Sequence, residues 1–310
     1  MRGLRDLVRG SSAARLVRTL LQTQAQVERL QIAVGRLEKL VRAREAREFH
    51  AQEFGVFSQW GEDGLISYLT SRVPIERPWF VEFGVQDYRE SNTRFLLVTE
   101  NWRGLVLDAS EDNVRAIKDD DVSWRHELDA RCAFITRDNI NSLLENAGYT
   151  GDIGLLSIDI DGNDYWVWEA IDVVSPRIVV VEYNSLFGPT RAVTVPYDAQ
   201  YVRGKKHFSH LYYGASIGAL ARLAAKKGYA LVGSNSAGNN AFFVRRDVLS
   251  SVPVVSPQAA YRRARFREGR TAEGDLTFDG FAARVRAIEH LPVVDVEQDR
   301  EVAISTLGVR

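Results

Sequence analysis

From Ser58 onward the chain alternates short apolar runs with stretches whose apolar positions recur every three or four residues. The runs predict strands over Trp79 to Phe83, Gly104 to Asp108, Leu155 to Ile160 and Arg177 to Glu182, with two later ones over Ala230 to Val232 and Ala241 to Val244. Between them the helical period predicts helices over Glu62 to Ser71, Asn92 to Glu100, Glu111 to Lys118, Ile135 to Asn146, Tyr165 to Ile171 and Ser216 to Lys227. Strand and helix in repeated alternation imply parallel strands joined by crossovers, hence an α/β domain with a doubly wound, mostly parallel sheet. The Gly-, Ser- and Asn-rich stretch Gly233 to Asn240 suits an antiparallel hairpin at the sheet edge.

Ahead of this domain the pattern is different. Leu20, Val27, Leu30, Val34, Leu37 and Val41 follow heptad steps, with Thr23 the weak position. Val at a and Leu at d favour a parallel two-stranded coiled coil, so a homodimer through the N-terminal helix is expected. An amphipathic helix packed on its own domain is the second reading. A basic helix resting on an anionic membrane, favoured by Arg2, Arg5, Arg9, Arg15 and Arg18, is the third. Domain organisation follows: residues 1–50 as the helix, 51–250 as the α/β domain, and 251–310 as an appendage packed on the core.

Charge sharpens the division. Residues 1–50 hold ten Arg and one Lys against five acids, net +6, and the rest of the chain is net −7. An acidic globular part argues against nucleic acid as partner, since duplex binding needs a clustered basic face. The single cysteine, Cys132, excludes an internal disulfide framework and a CxxC zinc site. With no apolar run of about eighteen residues and no readable signal peptide, the expectation is a cytoplasmic protein, peripheral to a membrane if its helix binds one.

In open α/β sheets, ligands sit beyond the carboxyl ends of the strands. Here those ends are repeatedly acidic. The first strand ends Val81-Glu82-Phe83-Gly84, where a glycine lets backbone approach a ligand closely. The dinucleotide fingerprint G-x-G-x-x-G is missing, because Gln86 and Arg89 stand where its later glycines belong. The second strand ends at Asp108 with Ser110 beyond it; the carboxylate could take both hydroxyls of a ribose or cap the next helix. Asp129 is expected to follow a further short strand, where it could bind an adenine amino group or lie in a surface turn.

The densest cluster is Ser157-Ile-Asp159-Ile-Asp161-Gly162-Asn163-Asp164, with Glu182-Tyr-Asn184 at the end of the next strand. Asp159 and Asp161 share one side of an extended chain, as do Glu182 and Asn184. These four oxygen donors suit Mg²⁺ or Mn²⁺, which would hold and acidify a substrate hydroxyl. The alternative is that Asp161 and Asp164 cap the following helix while Glu182 pairs with an Arg. The aromatic, basic stretch from Val195 to Ser216 reads as a lid. Within it His207 or His210 could serve as general base, and Lys205 and Lys206 could meet an anionic substrate.

Ser58-Gln-Trp-Gly-Glu-Asp63, Phe80-Val-Glu82-Phe-Gly84, Leu107-Asp108, Asp159-Ile-Asp161-Gly162 and Val181-Glu182, taken in succession, resemble the FkbM-like branch of class I S-adenosylmethionine-dependent methyltransferases over residues 54–247. The resemblance implies the Rossmann-like methyltransferase fold, S-adenosylmethionine as donor, and O-methylation of a hydroxyl on a saccharide, polysaccharide or related polyol. By position it assigns Glu82 and Gly84 to the first cofactor motif, Asp108 to the ribose and Asp159 to Gly162 to the fourth-strand motif. Asp161 is then the catalytic candidate beside the two histidines, acting through the cation it holds. The sequence departs from the family pattern in lacking a second glycine after Gly84 and in carrying Asp161 where glutamate is commoner. Two other function classes stand beside this one: a non-catalytic nucleotide-binding scaffold recruiting partners through the coiled coil, and a metal-dependent phosphoryl or glycosyl transferase. Association with a glycan-assembly machinery is the partner expectation that goes with a saccharide acceptor.

Overall fold

The computed structural model of the chain describes residues 12–43 and 48–309. The chain divides into two compact units, one ending at Ala46 and one beginning at Arg47. The first holds a single α-helix, Ser12–Ala43, of 32 residues. Val27, Leu30, Val34, Leu37 and Val41 are 48% to 65% exposed on it. Arg2, Arg5 and Arg9, on which the membrane reading leans, lie outside the described residues. Among the described residues no helix is long and apolar enough to cross a membrane.

The second unit is built on a seven-stranded sheet. Its strands are β1 Trp79–Phe83, β2 Arg103–Asp108, β3 Leu128–Cys132, β4 Gly151–Ile158, β5 Val174–Glu182, β7 Tyr229–Ser234 and β8 Asn240–Arg245, β6 belonging to a second sheet. The order is β3-β2-β1-β4-β5-β8-β7. β1 to β5 run parallel, whereas β8 pairs antiparallel with β5 and β7 antiparallel with β8. This is the doubly wound, mostly parallel, Rossmann-like arrangement expected from the sequence, edge hairpin included. Both faces are buried: Val81, Leu105, Leu156 and Val179 pack on one side, and Phe80, Val106, Leu155 and Val180 on the other. That two-sided burial is why the strands read as continuous apolar runs.

Where boundaries differ from the predicted ones, side chains explain it. β4 stops at Ile158 instead of Ile160 because Asp164 accepts the backbone N–H groups of Ile160 and Gly162, both at 2.9 Å, and turns the chain. The helix expected from Asn92 begins at Arg94, since the Glu82 carboxylate already holds the amides of Asn92 and Thr93. The helix expected from Ile135 begins at Ile140; Asn139 ties the loop before it, accepting from the Thr136 amide and donating to the Phe134 carbonyl.

Beyond the main sheet, β6 Val193–Thr194, β9 Pro292–Asp295 and β10 Arg300–Ala303 form a small antiparallel sheet in the order β10-β9-β6. With the helix Phe281–Ile288 it closes over its own core, in which Phe187, Val193, Tyr201, Leu211, Ile288 and Val293 meet. The C-terminal residues therefore reach the segment leading into and through the expected lid. On that helix Arg284 is buried and donates to the carbonyls of Phe266 and Ala264, fixing residues 264–266.

Candidate functional site

Chain progress reverses between β1 and β4: the chain leaves β1 toward β2 and β3, then returns to the other side of β1. Such a switch point opens a crevice at the carboxyl edge. A cavity lies there, lined among others by Gly84, Gln86, Asp108, Phe134, Asp159 and Tyr201. Gly84 has φ +73°, and a Cβ on it would stand 1.7 Å from the carbonyl oxygen of Asp159. The turn after β1 can therefore lie against the turn after β4 only if residue 84 is glycine.

Asp108 sits on the cavity wall with its carboxylate held in place. Its Oδ2 accepts from the Gln86 N–H at 2.8 Å; its Oδ1 accepts from the Ser110 N–H and Asn113 Nδ2, both at 2.9 Å. Three donors on a carboxylate with about four acceptor positions leave one position on Oδ2 for a ligand hydroxyl. The helix Glu111–Asp119 is capped instead by Ser110, whose Oγ accepts from the Asn113 N–H. Ser110 is thus a cap and a donor to Asp108, and it does not line the cavity. Around Asp108, Leu107, Ala109, Ala133 and Ile135 form an apolar wall.

Glu82 and Asp129 are placed elsewhere than the cofactor assignment requires. Glu82 is buried; it accepts the amides of Asn92 at 2.8 Å and Thr93 at 3.1 Å and the Thr93 hydroxyl at 2.5 Å, anchoring the start of the helix Arg94–Glu100. Burial pushes its carboxyl up to about 7 against those donors. Asp129 does not follow a strand. It lies within β3, paired in register with Leu105, and its carboxylate is 2.8 Å from Arg131. Pairing register keeps it off the carboxyl edge, and the residues that reach the cavity from this side are Ala133, Phe134 and Ile135.

At the far end of the cavity the acid cluster assembles. Asp159, Asp161 and Glu182 each place one carboxylate oxygen within 4.8 Å of the others. Asn184, the fourth donor read from the sequence, is not among them. Its Nδ2 donates to the carbonyls of Leu211 and Tyr213 and its Oδ1 accepts from the Leu186 N–H, so its amide is consumed in fixing the lid. Burial, reinforced by the neighbouring carboxylates and opposed by Arg203, raises Asp159 and Glu182 well above the ordinary carboxylate range. Asp164 is also buried, which pushes it up to about 6 despite the two amides it holds. Asp161 takes a left-handed conformation, φ +56°, at the head of this turn. Gly162 beside it must be glycine because the Tyr201 ring packs 2.2 Å from where a Cβ would stand.

Arg203, which the sequence did not single out, ties the cluster to both later segments. It pairs with Asp161 at 2.6 Å and with Glu268 at 2.5 Å, donates from Nε to the His210 carbonyl at 2.6 Å, and lies 3.7 Å over the Tyr213 ring. Burial disfavours its charge, but Tyr213, Glu182, Glu268 and Asp161 more than offset that and keep it a firm cation. A second cavity, about 490 Å³, adjoins the first across Asp161, Ile160, Phe134 and Tyr201, and is completed by Arg203, His210, Glu268 and Arg270. This volume falls within the roughly 300–1,000 Å³ typical of small-molecule sites. His210 lines it, with φ +58°. His207 does not: its Nδ1 is 2.7 Å from Ser209 Oγ and its ring lies against Phe208 and His290. Of the lysines, Lys206 pairs with Asp198 at 2.5 Å, and neither it nor Lys205 lines the cavity.

No protein-family model and no curated protein matches the chain. Solved structures resemble it in part. An S-adenosylmethionine-dependent methyltransferase from Clostridium acetobutylicum ATCC 824 is 12% identical with a TM-score of 0.32, matching 52% of this chain and 61% of its own, so the chain spans about three fifths of that protein. An O-methyltransferase from Bacillus cereus in complex with SAH is 14% identical with a TM-score of 0.38, over 69% of this chain and 88% of its own. The N-terminal domain of EvdMO1 with SAH bound is 10% identical with a TM-score of 0.40, over 67% and 94%.

Proposed function

We propose that the chain is an S-adenosylmethionine-dependent O-methyltransferase acting on a hydroxyl of a saccharide, polysaccharide or related polyol. The observation that supports this best is Asp108 at the switch-point cleft, a fixed carboxylate with one acceptor position left beside a narrow apolar wall. That donor set fits an adenosine, the ribose on Asp108 and the base against Ala109, Ala133 and Ile135. When bound, S-adenosylmethionine supplies an electrophilic methyl group on a sulfonium. Asp161, at the end of the same cavity, places a carboxylate where that cation belongs.

The acceptor belongs in the second cavity, which meets the first at Asp161. Arg203, Glu268, Arg270 and His210 offer it donors and acceptors beside an apolar wall of Phe134, Ile160, Tyr201 and Val202, a mixture that suits a polyhydroxylated ligand whose C–H groups also need cover. Methyl transfer to an alcohol needs the oxygen in line with the sulfonium and relieved of its proton. Asp161 at that junction and His210 on the wall of the second cavity are the groups able to accept it. Metal assistance belongs to the same reading. The helix Ser12–Ala43 pairs two copies as a coiled coil through its exposed Val and Leu stripe, and the working compartment is the cytoplasm.

Incubation with S-adenosylmethionine labelled in the methyl group and a panel of mono- and oligosaccharides tests the reading. Label should appear in a base-stable ether on a saccharide, with S-adenosylhomocysteine formed in step. A base-labile ester, or transfer only to non-hydroxyl acceptors, would remove the O-methylation assignment. Binding of nucleotides without turnover of any methyl donor would instead favour the scaffold reading.

A further inference from the structure

From Arg262 to Arg270 the chain runs as a strap without helix, and five of its nine residues are arginine. Burial alternates along it: Ala264 is buried and Phe266 and Glu268 are half-buried, while Arg263, Arg265 and Arg267 are exposed. A period of two belongs to extended chain, in which side chains on one side recur about every 6.4–6.8 Å. The inward side is pinned. Phe266 stacks on Trp60 with ring centroids 5.7 Å apart, the Ala264 N–H donates to Ser185 Oγ, and Arg284 holds the carbonyls of Ala264 and Phe266. Beyond Gly269, the Arg270 N–H donates to the Ser209 carbonyl, and Arg270 itself lines the second cavity.

The strap's arginines lack the acids that other exposed arginines of this unit find. Arg115 pairs with Asp112, Arg125 with Asp121 and Arg222 with Glu297. Glu268, the one acid within the strap, is taken by Arg203. Arg265 has no partner among the described residues, Arg267 donates to the Phe278 carbonyl and Arg270 to the Gly274 carbonyl. A single carbonyl occupies one of a guanidinium's five donors, so the fork that matches a carboxylate stays open.

We propose that this row of guanidiniums binds a carboxylate-bearing saccharide chain, a polyuronate, and leads it past Arg270 into the second cavity. Arginine takes a carboxylate through two parallel hydrogen bonds, and a row in single file suits one chain. Duplex nucleic acid needs a clustered basic face, and a single strand needs outward aromatic platforms, whereas Phe266 faces inward onto Trp60. Asp161 and Glu268 share the cavity wall with Arg270, so a singly charged carboxylate meets less repulsion there than a phosphate monoester of about −1.5 to −2. That this chain is the methyl acceptor rests on the methyltransferase reading; its binding to the strap does not.

Fluorescence anisotropy of labelled oligogalacturonate with the full-length protein, in the absence of any methyl donor, tests the strap. Saturable binding is expected, absent for a neutral maltooligosaccharide of matched length and weakening as NaCl is raised. The double variant Arg265→Gln/Arg267→Gln, altered only at exposed side chains, should bind at least tenfold more weakly. Arg115→Gln/Arg222→Gln removes the same charge elsewhere and should bind as the unaltered protein does. No saturable binding by the unaltered protein, or equal losses in the two double variants, would overturn the proposal. Tighter binding of polyglutamate or of oligothymidylate would overturn the saccharide assignment and make the strap a site for an acidic peptide or a single strand. Oligogalacturonate binding by a protein that takes up no S-adenosylhomocysteine would keep the strap's ligand and discard the methyltransferase reading.

Discussion

Gly84→Ala should damage the protein through one collision whose cost can be separated from backbone strain. At φ +73° an alanine pays the left-handed penalty of about 1–2 kcal/mol. Its Cβ would also stand 1.7 Å from the Asp159 carbonyl oxygen, so the turns after β1 and β4 must part by more than an ångström. Forced overpacking of this kind adds about 1–3 kcal/mol. Gly148 supplies the control: its φ is +76° and nothing lies within 4 Å of a Cβ there. Urea unfolding should therefore show Gly148→Ala losing about 1–2 kcal/mol and Gly84→Ala about 2–5 kcal/mol. Because the parted turns carry Gln86 and Asp159, only Gly84→Ala should also lose affinity for S-adenosylhomocysteine. Equal losses of stability, or cofactor affinity retained in Gly84→Ala, would refute the claim that this close approach shapes the cleft.

Removal of residues 1–46 should convert a dimer to a monomer in light scattering while leaving the α/β unit folded; an unchanged oligomeric state would exclude the coiled coil. Cutting further, past Phe49, should cost stability, since its ring packs on Phe242 and Tyr68 and sits where a Cβ on Gly233 would stand. Glu82 makes stability depend on pH with a definite sign. Its folded value of about 7 lies above the ordinary 4.5, so the folded state binds the extra proton and stability falls as pH rises between those values. The full effect is on the order of 3 kcal/mol, and Glu82→Gln should flatten that slope in melts between pH 5 and 7; an equally steep slope in the variant would show that another group titrates.

Strands with both faces buried are legible because apolar runs bounded by turns leave little choice of element, and β1 falls where its sequence places it. The acid at each strand end was equally visible, but its role depended on what surrounds it. Asp108 and Glu82 look alike in sequence. One keeps a free acceptor position on a cavity wall, and the other spends its oxygens on the start of a helix. Asp129 was misplaced because strand register, not composition, decides whether an acid reaches the carboxyl edge. Arg203 and Glu268 were invisible for a different reason: Arg203 finds Asp161 across 42 residues of chain, and the segment bearing Glu268 is fixed by Arg284 from a later helix. Gly84 and Gly162 are required by neighbouring protein, the Asp159 carbonyl and the Tyr201 ring, rather than by a ligand.

Calorimetry with S-adenosylhomocysteine tests most directly whether the switch-point cleft holds the adenosine of a methyl donor on Asp108. The full-length protein should bind one molecule per chain. Asp108→Ala should remain folded and lose a charge-assisted hydrogen bond of about 1.5–3 kcal/mol, a weakening of about 10- to 150-fold. No binding by the unaltered protein, or undiminished affinity in the folded variant, would contradict the assignment.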